Sequence, residues 1–182
     1  TFDSAAPTSP SISINSDATY TTSTGVTLAL SAGGASHMRF KNDSGSWGGW
    51  VSYSTSKSWT LNNTQGSRTV SVIFKDAAGN ETSAVSDAIT FDSAAPTSPS
   101  ISINSGATYT TSTGVTLTLS AGGASHMRFK NDSGSWGGWE SYSGSKSWAL
   151  NNTQGTRTVS VIFKDVAGNE TSAVSDTISY DS

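Results

Sequence analysis

The sequence predicts an all-β protein made of two tandem sandwiches, and three observations carry that reading. Residues 1–89 return as residues 90–178 with eight differences, so one module is written twice. Within each copy, apolar residues sit at alternate positions in short runs, the period of half-buried strands, and nowhere is there a helical period. Those runs end in Gly, Asn, Asp and Ser and recur at roughly 8–12-residue spacing, the pattern of an antiparallel sandwich.

Taken in order, Ile12 and Ile14 mark a first strand after Pro10. Val26, Leu28 and Leu30 mark a second, and Met38 and Phe40 a third. Trp50 to Tyr53, then Trp59 and Leu61, form shorter runs. Val70, Val72 and Phe74 make the clearest inward row, and Val85, Ile89 and Phe91 close the module. The turns carry their own chemistry. In Lys75-Asp76-Ala77-Ala78-Gly79-Asn80 the glycine supplies positive φ and the carboxylate caps backbone N–H groups. Asn42-Asp43-Ser44-Gly45 serves the next hairpin, and Ala32-Gly33-Gly34 joins the second and third strands. About seven antiparallel strands per copy read as an immunoglobulin-like or fibronectin-III-like β-sandwich. The predicted divisions are 1–7 as the tail and linker of a preceding repeat, 8–92 as the first module and 93–182 as the second. Pro96 and Pro99 restrict the linker, which predicts modules set end to end.

The differences between copies test the pattern, because substitutions should fall where side chains meet water. They lie at positions 17, 29, 51, 55, 60, 67, 77 and 88, all in expected turns, at strand ends or between inward residues. Val51 becomes Glu140, and a carboxylate is almost never buried unpaired. Position 51 is therefore expected to face water, which by strand alternation turns Trp50 inward and Tyr53 outward.

Composition removes several function classes. Charged residues make up 13% of the chain against about a quarter in ordinary domains, and 30 of the first 89 residues are Ser or Thr. With a net charge of −3 and no basic run, the electrostatic attraction that drives nucleic-acid binding is missing, so no nucleic-acid partner is expected. No apolar run approaches membrane-spanning length, so no membrane insertion is expected. The absence of cysteine excludes disulfides and thiolate chemistry, and avoids mispairing between identical copies outside the cell. No Gly-x-Ser-x-Gly elbow is present and each copy has a single histidine, His37 or His126, so no enzyme is expected.

Three segments resemble a known group of proteins. They are Phe91-Asp92-Ser93-Ala94-Ala95-Pro96 at the junction, His37-Met38-Arg39-Phe40-Lys41-Asn42-Asp43 with Trp47-Gly48-Gly49-Trp50, and residues 66–80. Together they resemble the bacterial immunoglobulin-like repeats of large secreted and surface-anchored proteins, adhesins among them. The resemblance implies an extracellular, bacterial cell-surface location and a stalk or spacer that projects an adhesive domain. Its partners would be neighbouring repeats of the same chain and, through domains elsewhere, a glycan or another cell surface, with the chain itself monomeric. In some adhesins junctional acids bind calcium, which marks Asp92, Asp76 and Asp165 as candidate ligands. The linear calcium loop is absent, and Ala32-Gly33-Gly34-Ala35 carries glycine where that family often has Asp.

A carbohydrate-binding module is the competing expectation. Planar aromatics pack on the apolar faces of sugar rings, which points to Trp47 and Tyr53, with Trp136 and Tyr142 in the second copy. No other cofactor is expected. Hairpin or core packing is the plainer role for these rings, and Trp59, in an inward row, is expected to be core.

Overall fold

The computed structural model describes residues 3–182; Thr1 and Phe2, part of the expected preceding tail, lie outside the described residues. The chain divides into two compact units, the first ending at Ser93 and the second starting at Ala94. All described regular structure is strand. The first unit contains β1 (Thr8–Ile14), β2 (Tyr20–Thr21), β3 (Gly25–Gly33), β4 (His37–Asn42), β5 (Val51–Ser52), β6 (Ser56–Thr60), β7 (Gly66–Lys75) and β8 (Val85–Phe91). The second repeats them as β9 (Thr97–Ile103), β10 (Tyr109–Thr110), β11 (Gly114–Gly122), β12 (His126–Asn131), β13 (Glu140–Ser141), β14 (Ser145–Ala149), β15 (Gly155–Lys164) and β16 (Val174–Tyr180).

In each unit a three-stranded sheet, β1-β3-β6 or β9-β11-β14, faces a five-stranded one, β2-β8-β7-β4-β5 or β10-β16-β15-β12-β13. Pairing is antiparallel except for β2 with β8 and β10 with β16, which run parallel. These two-residue strands are the departure from the expected seven antiparallel strands. Two residues cannot display a period, and β2 is held by backbone bonds such as Asp92 N–H to Thr21 O at 2.9 Å. β1 carries a bulge between Thr8 and Ser11, where Ser9 has φ 49° beside Pro10. Gly33 lies close to β1 there: a Cβ on it would stand 2.7 Å from Thr8 Oγ1, so that hydroxyl would have to turn away.

Alternation does what the sequence requires. β3 reads exposed-buried throughout, placing Val26, Leu28, Leu30 and Ala32 inward. They meet Met38, Phe40, Val70, Val72 and Phe74 of the opposite sheet, and Ile14, Leu28, Val70, Val72 and Phe74 are completely buried. Each such side chain contributes about 1.5–3 kcal/mol of burial. The second unit has its own core of the equivalent residues, from Ile103 to Ile178. Asp87 ties the sheets together: its carboxylate accepts the Ile14 N–H at 2.7 Å and the Ala88 N–H at 2.8 Å. Asp43, with φ 47°, pins the β4–β5 turn by accepting from Thr69 N–H at 2.9 Å, Asn62 Nδ2 at 2.6 Å and Arg68 at 3.2 Å. In the first unit all eight positions that differ between residues 1–89 and 90–178 are exposed; the last strands add half-buried Thr90 against Ser179 and buried Phe91 against Tyr180.

Candidate functional site

The predicted orientation of the aromatic segment is reversed in the structure. Val51 pairs with Met38, and residues directly opposite in an antiparallel ladder share a face, so Val51 points to the interior side of its sheet. It is nonetheless 39% exposed. The reason is that β5 is an edge strand, where the interior side opens onto water at the rim of the sandwich. Glu140, opposite Met127, uses that rim to meet Lys146 of β14, both carboxylate oxygens lying within 2.9 Å of Nζ. Exposure was therefore a poor guide to face, and the alternation runs the other way: Tyr53 turns inward and Trp50 outward.

Tyr53 packs on the core, edge-on to Phe74 at 5.9 Å between ring centroids, and its hydroxyl oxygen accepts the Ala32 N–H at 3.3 Å. Tyr142 repeats the contact with Phe163 at 6.0 Å. Trp59 lies against Phe40 at 5.1 Å, with its indole N–H donating to Asn42 Oδ1 at 2.6 Å, which bears out the core reading. The expected glycan platform therefore does not assemble: Tyr53 and Tyr142 belong to the core, whereas Trp47 and Trp136 lie on the outer face of the five-stranded sheet.

On that outer face a different grouping forms. Arg39 and Lys41 alternate with the inward Met38 and Phe40 on β4, and Lys75 follows inward Phe74 on β7. The loop from Asp43 to Trp50 folds back over them, held by Gly48 N–H donating to Phe40 O at 2.8 Å. Trp47 has Lys41 Nζ at 5.1 Å and the Arg39 guanidinium at 5.6 Å from its ring centre. Trp50 has Arg39 at 4.5 Å and Lys75 at 4.4 Å. The contacts thus run Lys41, Trp47, Arg39, Trp50, Lys75. Arg39 is also bonded to Glu81 at 2.9 Å, while its Nε is buried with no hydrogen-bond partner among the described residues. Lys130, Trp136, Arg128, Trp139 and Lys164 reproduce the row, with Arg128 on Glu170 at 3.0 Å. Basic residues alternating with an inward row on two neighbouring strands, beside two tryptophans three apart, were the sequence signal for this face.

The remaining candidates have local roles. Asp76 is buried and caps its own loop, accepting from Gly79 N–H at 2.7 Å, Asn80 N–H at 2.9 Å and Asn80 Nδ2 at 2.8 Å. The Asn80 side chain foremost, then backbone N–H groups of the loop, hold its carboxyl below the ordinary carboxylate range, against the opposing effect of burial. Asp165 makes the same three bonds to Gly168 and Asn169. Asp92 follows β8 and donates its backbone N–H to Thr21. Among the described residues no three His, Cys, Asp or Glu side chains converge as a metal site would require, and no helix could cross a membrane. His37 is half-buried, with Nδ1 3.0 Å from Ser36 Oγ.

Comparison with known proteins places the architecture. No protein-family model and no curated protein matches the chain. Among solved structures, the fibronectin(III)-like modules of Clostridium thermocellum CbhA share 13% identity and a TM-score of 0.54, with 94% of each chain covered. Domains A168–A170 of titin share 10% identity and a TM-score of 0.57, covering 96% of this chain and 68% of that one. At these identities the likeness is one of fold: each unit is a fibronectin-III/immunoglobulin-like sandwich.

Proposed function

We propose that this tandem pair of fibronectin-III-like sandwiches is a spacer within a long repetitive bacterial surface or secreted protein, projecting an adhesive domain away from the cell. The supporting observation is that two nearly identical units each own a complete hydrophobic core. A unit that finishes its own interior can be added or removed without rebuilding its neighbour. The carboxylates of Asp43, Asp76 and Asp87 are engaged in turn capping and sheet ties, which favours a non-catalytic role. Small-angle scattering on arrays of one, two and four repeats tests the reading. A ten-residue strand such as β7 spans about 33 Å, so a spacer should lengthen by about 30–40 Å per repeat. Growth of the maximum dimension only as the cube root of mass would overturn it.

A further inference from the structure

We propose that the outer face of each five-stranded sheet binds an acidic polysaccharide through the row Lys41, Arg39, Lys75 and its copy Lys130, Arg128, Lys164. The site is independent of the spacer reading, and it shares Trp47 with the competing Trp47–Tyr53 platform but uses the cations on that ring and not the ring face.

Three of the five basic residues of the first module stand in this row, on a chain whose net charge is negative. Lys41, Arg39 and the Lys75 position beside His37 are successive outward sites along the β4 direction, about 7 Å apart. Trp47 and Trp50 stand between them and hold the cations by their ring quadrupoles, which leaves the charge itself uncompensated. Glu81 neutralises Arg39, but Lys41 and Lys75 form no ion pair among the described residues. Each unit therefore presents two unpaired ammonium groups flanking a guanidinium, in a fixed and extended line.

The chemistry selects the ligand. A carboxylate or sulfate gains a charge-assisted hydrogen bond from an unpaired ammonium group, and a polymer repeating its charge at regular intervals gains one at each of the two lysines. The indoles already carry cations, so they offer poor stacking platforms for bases, which single-stranded nucleic acid needs and a uronate chain does not. The second unit carries its own copy of the row, so each chain offers two such sites.

The test passes the 182-residue chain over immobilised polyuronate and neutral dextran at about 50 mM salt, where exposed charges are weakly screened. Retention on polyuronate, none on dextran, and elution by salt are expected. A quadruple variant, Lys41→Gln, Lys75→Gln, Lys130→Gln and Lys164→Gln, should keep the wild-type circular dichroism and lose retention at least tenfold. A second variant, Lys57→Gln with Lys146→Gln, removes charge from the rim and should bind as wild type. Absence of wild-type retention, equal retention of the quadruple variant, or equally tight binding of single-stranded DNA would each overturn the proposal.

Discussion

Leu28→Ala should split the thermal unfolding of this chain into two transitions. Leu28 lies on the central strand of the three-stranded sheet, between Ile14 and Lys57 of its neighbours, and is completely buried. Truncating such a leucine removes its transfer free energy and leaves a cavity, together costing about 3 kcal/mol. For a domain of this size each kcal/mol lowers Tm by about 4–8 °C, so the first unit should melt about 12–24 °C below the second. The second unit is an internal reference, because twelve of its buried core residues are the same amino acids in the same order and the one buried exchange is Phe91 for Tyr180. Scanning calorimetry of the wild type should show one peak. The variant should show two of similar area, about 60 kcal/mol each at about 0.7 kcal/mol per residue. A displacement under about 4 °C would refute the placement of Leu28 in a closed core. A single peak moving as a whole would refute the independence of the two interiors.

The orientation of the aromatic segment can be checked by paired substitutions: Tyr53→Ser should cost about 3 kcal/mol through lost packing and an unsatisfied Ala32 N–H, and Trp50→Ser about 1 kcal/mol, measured by urea unfolding. Acid should destabilise the first unit through Asp76. Its folded pKa is depressed, so the unfolded chain binds the proton more readily. The contribution is full above the unfolded value of about 3.9, falls as pH drops through the folded value, and should shrink in Asp76→Asn when stability is followed from pH 6 to 2. Lys57→Val should promote self-association visible by sedimentation, because a charge facing inward on edge strand β6 discourages a second chain from pairing there. Since the Asp76 and Asp165 carboxylates are already engaged in their own loops, removing calcium with a chelator should move Tm by less than about 1 °C; a larger fall would point to a bound cation.

Most of the interior was legible in the sequence because burial in a sandwich follows a period of two; Val26, Leu28 and Leu30 obey it strictly, and Val70, Val72 and Phe74 obey it beside Ser71, which is buried as well. The reversal at Trp50 and Tyr53 has a specific physical origin. A strand at the margin of a sandwich has an interior-facing side that water reaches, so the Glu at position 140 reported wetness and not direction. The β2–β8 pairing escaped notice because its register depends on where the chain returns after seventy residues, and no local pattern records that. The row of cations and indoles was only partly visible, as outward basic residues and paired tryptophans, for a related reason. Its members come from β4, β7 and a loop, and only folding brings them together.

That the buried positions of the two units differ only by Phe91 against Tyr180, while the eight differences between residues 1–89 and 90–178 are exposed in the first unit, has an evolutionary consequence. Genetic exchange between two such copies, wherever the crossover falls, yields a hybrid whose interior is one already proven to fold. Gene segments of this kind can be gained or lost in whole modules while each survivor keeps its stability. Length then becomes a trait that can vary in whole modules, and the exposed positions become the place where variants accumulate.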